Sequence, residues 1–199
     1  MFWGSEGIFG VAIGVSATFV FLFILFGAFL KYRGFSQFIN DLALTIAGRS
    51  PGGPAKVAVL ASSLMGMING SALANVSTTG AITIPLMKQN GYKARFAAAV
   101  EAVASTGGQF TPPIMGAVGF IMAEYLGVPY TTVLVAAIIP ALLYYVTLIM
   151  VVHFEAKRLG LRGISKENIP NIKKVLKKQG HLLIPLVVLL YMLFAGYTP

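Results

Sequence analysis

Two clusters of small and polar residues interrupt otherwise apolar sequence, and their residue types suit the handling of a small cation. The first, Asn69 to Gly80, reads NGSALANVSTTG, and the second, Ser105 to Pro113, reads STGGQFTPP. Ser71, Asn75, Thr106 and Thr111 supply hydroxyl and amide oxygens, with Gly70, Gly107 and Gly108 beside them. Glycine lets a main chain turn and approach an ion closely. Backbone that leaves a helix exposes carbonyls able to coordinate Na⁺, and the amides of half-helix N-termini favour an anion. The chain has no cysteine and no grouping of histidines with carboxylates near these clusters. That excludes disulfide scaffolds, thiolate metal sites and cysteine nucleophiles and argues against a transition-metal site.

Small residues at helix contacts often serve close packing alone. Packing requires neither Gly107-Gly108 nor Pro112-Pro113, and both clusters coincide with helix breaks. A transport or channel site is the reading that follows. A passive channel and a non-transporting membrane assembly subunit remain as alternatives. No His-rich metal motif, nucleophile–base pair or phosphate-binding loop argues for an enzyme.

The elements that must position these clusters are membrane helices. Of 199 residues, 57% are hydrophobic and 11% charged, where a soluble domain carries about 25% charged residues. Ile8 to Leu30 is an uncharged run of 23 residues, long enough for a hydrocarbon core about 30 Å thick. Gly34 to Gly48 spaces Phe35, Phe38, Ile39, Leu42 and Ile46 by threes and fours. This predicts an amphipathic helix lying on the membrane surface.

Val57 to Met87 is uncharged for 31 residues, with the first cluster at its middle. One straight span would be shorter and two full spans need about 40 residues. A re-entrant hairpin is expected. Phe96 to Gly127 holds the second cluster, whose glycines and prolines cannot continue a helix, so this span is expected to be discontinuous. Thr131 to Val152 reads as an ordinary span, His153 to His181 as a polar connector, and Leu182 to Gly196 as the start of another span.

Charge tests this layout. The net charge of +9 comes from basic residues confined to 31–56 (four), 88–95 (three) and 157–178 (eight). Basic loops stay cytoplasmic. A single crossing by 57–87 would put 88–95 outside, whereas a hairpin puts all three segments inside. Clustered this way, the charge reports orientation rather than nucleic acid. Lys173, Lys174, Lys177 and Lys178 could also attract anionic lipid. Glu101 lies one turn before the second break. A charge inside a span is a functional candidate by default, and a partner within the bundle is the plainer reading.

Several stretches resemble the large membrane subunit of the tripartite ATP-independent periplasmic (TRAP) transporters. They are Asn69 to Gly80, Ile84 to Lys88 (IPLMK), Gly91-Tyr92, Glu101 to Gln109 (EAVASTGGQ), Pro112-Pro113, Pro140 to Tyr145 (PALLYY) and Glu155 to Gly163 (EAKRLGLRG). The fused permeases that work with TAXI-type binding proteins look most similar. The resemblance covers nearly the whole chain from about Gly7.

It implies an all-α integral membrane protein, an ion-transporter-superfamily-like repeat with a re-entrant hairpin and a discontinuous transmembrane helix. It also implies a sodium symport permease of a bacterial or archaeal cell inner membrane, working by an elevator movement, with Na⁺ as coupling ion and no other cofactor. Its partners would be a periplasmic solute-binding protein, a small TRAP membrane subunit or its fused equivalent, the remainder of the permease and the lipid bilayer. Residues 1–56 would belong to the scaffold. Residues 57–127 would form half of the transport domain, and 128–199 the following span, connector and next span.

Carried over by position, Ser71, Asn75, Thr106, Gly107 and Gly108 would hold Na⁺, and Asn69, Gly70, Thr111 and Pro112 would lie near the solute. Organic acids or similar solutes are expected. Such permeases contain two inverted repeats, and this chain shows one, so it is expected to be a fragment of a longer permease or to pair with a second chain.

Overall fold

The computed structural model describes residues 10–195, and they are helical almost throughout. Helix α1, Val11–Tyr32, contains a π-helical stretch at Ser16–Val20. It is followed by α2, Phe35–Ala47, and by α3, Gly53–Asn69, which starts on Pro54 after left-handed Gly52. Proline is pre-organised for a first helical turn, so the helix starts ahead of the expected Val57. Then come α4, Ala72–Gln89, α5, Ala94–Gly107, and α6, Ala117–Leu126. The last three are α7, Tyr130–Arg158, α8, Ile172–Gln179, and α9, Ile184–Phe194.

Helix α3 sits at the centre. Val57, Ala61, Met65 and Ile68 face a core shared with Phe23 and Leu30 of α1 and Phe35, Phe38 and Ile39 of α2. Ala55, Ala58 and Val59 face a second core, with Met87 of α4, Ala97 and Ala104 of α5, and Val152 and Ala156 of α7. Alanine and glycine along α3 let neighbouring backbones come close.

The three basic connectors gather at one end of the molecule. Gly52 abuts Ala156 and Tyr92, Gly91 abuts Leu161, and the Ile164 amide donates to the Gly48 carbonyl at 2.8 Å. Both arms of the α3–α4 hairpin therefore return to the end where Lys88, Lys93 and Arg158 lie.

Three helices among the described residues are long and apolar enough to cross a membrane: Val11–Tyr32, Tyr130–Arg158 and Ile172–Phe194, the last counted through the turn that joins α8 to α9. The expected spans need adjustment. Helix α7 continues past Val152 to Arg158, and Glu155 and Arg158 pair at 2.8 Å across its last turn. Hydropathy marks where lipid contact ends, not where the helix ends, so His153 is helical rather than part of a connector. The last span is preceded by helical structure from Ile172. The starting residues Ile8 and Phe9 of the first expected span, and Gly196 of the last, lie outside the described residues.

Helix α2 differs in its surroundings. Its apolar face is not free to lie on lipid, because Phe35, Phe38, Ile39 and Ala43 are buried against α3 and its neighbours, while Ile46 is 61% exposed. Amphipathic spacing gives the same pattern for a lipid surface and for a protein core.

Candidate functional site

The hairpin tip is built by Gly70 and Ser71. Gly70 takes φ +58° and closes α3 by donating to the Gly66 carbonyl at 3.0 Å. Asn69 Oδ1 accepts from the Ser71 amide at 3.3 Å. Ser71 is extended and caps α4, its hydroxyl accepting from the Ala74 amide at 3.3 Å. A serine there satisfies one of the free amides at the helix start.

The second cluster breaks its helix as expected. Helix α5 ends at Gly107, a 3₁₀ turn covers Gly108–Phe110, and Thr111 is extended. A cis Pro112–Pro113 bond follows, and Met115 takes φ +56°. The break is held by the Thr111 hydroxyl, which donates to the Gly107 carbonyl at 2.6 Å. The Gly116 amide donates to the Gln109 carbonyl at 2.7 Å. Tyr130 reaches back to donate to the Ile114 carbonyl at 2.6 Å.

Tip and break dock backbone to backbone. The Ile114 amide donates to the Met67 carbonyl at 3.2 Å. A Cβ on Gly70 would stand 1.9 Å from the Met115 carbonyl oxygen, and one on Gly108 would stand 2.5 Å from Gly66 Cα. No residue other than glycine fits at either contact.

The five expected sodium ligands do not all converge. Asn75 is fully buried, its amide donating to the Ser62 carbonyl at 2.7 Å. It lies against the Gly66–Gly108 contact, and Ser71 stands one turn before it. Among the described residues its Oδ1 meets only the Thr79 hydroxyl, 3.5 Å away. Thr106 is exposed and bonds back to the Ala102 carbonyl. Gly107 faces the rings of Tyr144 and Tyr145 on α7.

The four expected solute residues divide between two cavities. Asn69 and Gly70 line one of about 260 Å³, with Ser71, Gln109, Gly116 and Ala117. Thr111 and Pro112 line another of about 380 Å³, largely apolar, against Ile138, Ala141 and Tyr145 of α7. A larger apolar cavity of about 600 Å³ between α6 and α7 touches the break only at Gln109, Phe110 and Met115.

A buried acidic group lies outside the expected ligand set. Glu101 is 0% exposed. Ser62 Oγ donates to its Oε1 at 2.7 Å and Ser105 Oγ at 3.1 Å. The Thr79 hydroxyl also contacts Oε1, and the Thr83 hydroxyl contacts Oε2. A sequence signal for this cluster exists. Asn75, Thr79 and Thr83 form an i, i+4, i+8 polar stripe along α4, and Glu101 and Ser105 repeat the spacing.

Similarity to known proteins identifies the family. Residues 5–199 match the family described as the tripartite ATP-independent periplasmic transporter, DctM component. The 2,3-diketo-L-gulonate TRAP transporter large permease protein YiaN of Escherichia coli is 30% identical over 75% of this chain and 35% of its own length. The C4-dicarboxylate TRAP transporter large permease protein DctM of Pseudomonas aeruginosa is 29% identical over 89% of this chain and 41% of its own. The isethionate TRAP transporter permease protein DctMQ of Oleidesulfovibrio alaskensis is 29% identical over 84% of this chain and 26% of its own. The chain thus spans well under half the length of these relatives. With three apolar helices of spanning length and a match to the family over 5–199, it is a multi-pass chain of the cell inner membrane, and it belongs to the DctM component family of the TRAP transporters.

Proposed function

We propose that this chain is one repeat of a sodium-coupled TRAP permease that takes up small organic anions delivered by a periplasmic binding protein. The observation that carries the reading is the docked pair of helix interruptions. Asn75, beside the Gly66–Gly108 contact, holds an Oδ1 whose partner among the described residues, the Thr79 hydroxyl, is 3.5 Å away. Broken helices meeting at one point are the usual construction of such sites, with carbonyls turned to the cation. Ser71, Asn75 and the carbonyls around Gly107 and Gly108 are the proposed Na⁺ ligands. Thr106 contributes through its backbone, since its hydroxyl is engaged on its own helix.

The solute is proposed to lie at the 260 Å³ cavity, beside Asn69 and Gly70. That cavity is bordered by Ser71 at the start of α4 and by Gly116 and Ala117 at the start of α6. Two helix N-termini favour a negative group. The relatives carry the names of a diketogulonate, a C4-dicarboxylate and an isethionate transporter, which supports an organic anion. Thr111 and Pro112 act by shaping the break rather than by lining this cavity.

The hairpin is proposed to be re-entrant, with all three basic connectors cytoplasmic; their meeting at one end of the molecule supports this. Residues 57–127 would move as half of the elevator body, with the chain before residue 57 as scaffold. The remaining partners are the rest of the permease and a small membrane subunit or its fused equivalent. A TAXI-type binding protein is proposed on the likeness of the two clusters.

Binding of ²²Na⁺ to the complete purified permease tests the reading without knowing the solute. Saturable binding is expected, and weakened roughly tenfold or more in the folded fraction of Asn75→Ala, a variant that also loses the buried bond to the Ser62 carbonyl and some stability with it. Absence of saturable binding by the wild-type permease would overturn it.

A further inference from the structure

Glu101 presents a buried carboxylate in an unusual setting. It stands on α5 and is held by hydroxyls from three helices: Ser62 of α3, Thr79 and Thr83 of α4, and Ser105 of α5. No basic side chain among the described residues pairs with it. The one salt bridge among the described residues is Arg158–Glu155, at the other end of the hairpin arms. Gly80 completes the enclosure, since a Cβ there would stand 3.0 Å from Glu101 Cγ. The hydroxyl dipoles surround the carboxyl group on both oxygens.

Its neighbours lead directly to the docked interruptions. Ser62 uses its hydroxyl for Glu101 and its carbonyl for the Asn75 amide. The Thr79 hydroxyl lies within reach of both Glu101 Oε1 and the Asn75 carbonyl, 2.9 Å away, and its one proton serves either acceptor in turn. On each helix the cluster stands one turn from the site: Ser62 before Gly66, Thr79 after Asn75, Ser105 before Gly108. A helical turn rises about 5.4 Å, and over one or two turns in a medium of low dielectric a charge acts strongly on a cation.

We propose that Glu101 is a positioning residue for the sodium site. Through Ser62 and Thr79 it sets Asn75 against the Gly66–Gly108 contact, and its unpaired carboxylate supplies the negative charge that a cation at the site senses. This rests on the sodium reading above.

The test is equilibrium binding of ²²Na⁺ to the complete purified permease, with thermal unfolding measured beside it. Glu101→Gln, close in shape and uncharged, is expected to weaken Na⁺ binding roughly tenfold. Glu101→Asp keeps the charge and is expected to stay within about threefold of wild type. A purely structural role would lower the unfolding temperature and leave the Na⁺ affinity of the folded fraction unchanged. Wild-type affinity in folded Glu101→Gln, or equal weakening in both variants, overturns the proposal.

Should Glu101→Gln fail to fold, Thr83→Val removes the contact to Oε2 together with the same hydroxyl's bond to the Thr79 carbonyl, two turns from Asn75. It is expected to weaken binding roughly threefold, and wild-type affinity in that variant overturns the proposal equally. Failure of the wild-type permease to bind Na⁺ is a different result. It removes the sodium reading itself, whatever Glu101 does.

Discussion

At Gly70 a single methyl group decides whether the hairpin tip can dock. The residue combines φ +58° with a Cβ position 1.9 Å from the Met115 carbonyl oxygen. Gly127 offers a control, with φ +61° and open space around the Cβ position. Gly127→Ala should cost about 1–2 kcal/mol, the penalty of a left-handed alanine. Gly70→Ala carries that penalty and a backbone clash, and should cost at least about 3 kcal/mol. Thermal unfolding of the detergent-solubilised permease measures both, and equal losses would refute the docked contact. The same scale separates the expected ligands. Asn75 and Gly108 reach the junction, while the Thr106 hydroxyl and the Cβ direction of Gly107 point elsewhere. Residue type made all of them candidates, but only azimuth on the helix decides which face one another.

At the scale of elements, α2 shows where periodicity stops being informative. Its apolar stripe was legible from Phe35 to Ile46 and its helix appears at Phe35–Ala47. What the stripe faces was not legible, since lipid and a neighbouring helix ask for the same residues. Phe38→Ala should cost about 3–5 kcal/mol, because Phe38 is fully buried against the α3 core. Ile46→Ala, at an exposed position, should stay within about 0.5 kcal/mol. If α2 instead lay on lipid with Phe38 downward, the two losses would be similar.

Asp41 on the same helix adds a pH dependence. Burial raises its carboxyl above the usual range, partly offset by the hydrogen bond from Gln37 and by Lys178. The folded chain then holds the Asp41 proton more tightly than the unfolded chain. Its contribution to stability is present below the unfolded pKa and fades as pH rises through the folded one. Asp41→Asn should therefore flatten the decline of unfolding temperature across the weakly acidic range, and a parallel decline in variant and wild type would count against it.

For the whole molecule, the convergence of the basic connectors makes orientation testable. The chain has no native cysteine. In the complete permease, Lys93→Cys should resist an impermeant thiol reagent applied outside, and Tyr125→Cys, toward the opposite end, should react; the reverse pattern would sink the topology. The apolar runs, the two interruptions and the positions of the basic segments were determined by the sequence alone. Each is local: hydropathy sums over neighbours in the chain, and glycine and proline act on their own backbone angles. The tertiary structure decided the rest. It buried α2 on α3, divided Asn69 and Gly70 from Thr111 and Pro112, and gathered Ser62, Thr79, Thr83 and Ser105 on Glu101. Those contacts join residues up to 39 positions apart. They depend on the rotation and spacing of three helices about their axes, which no single stretch of the chain specifies.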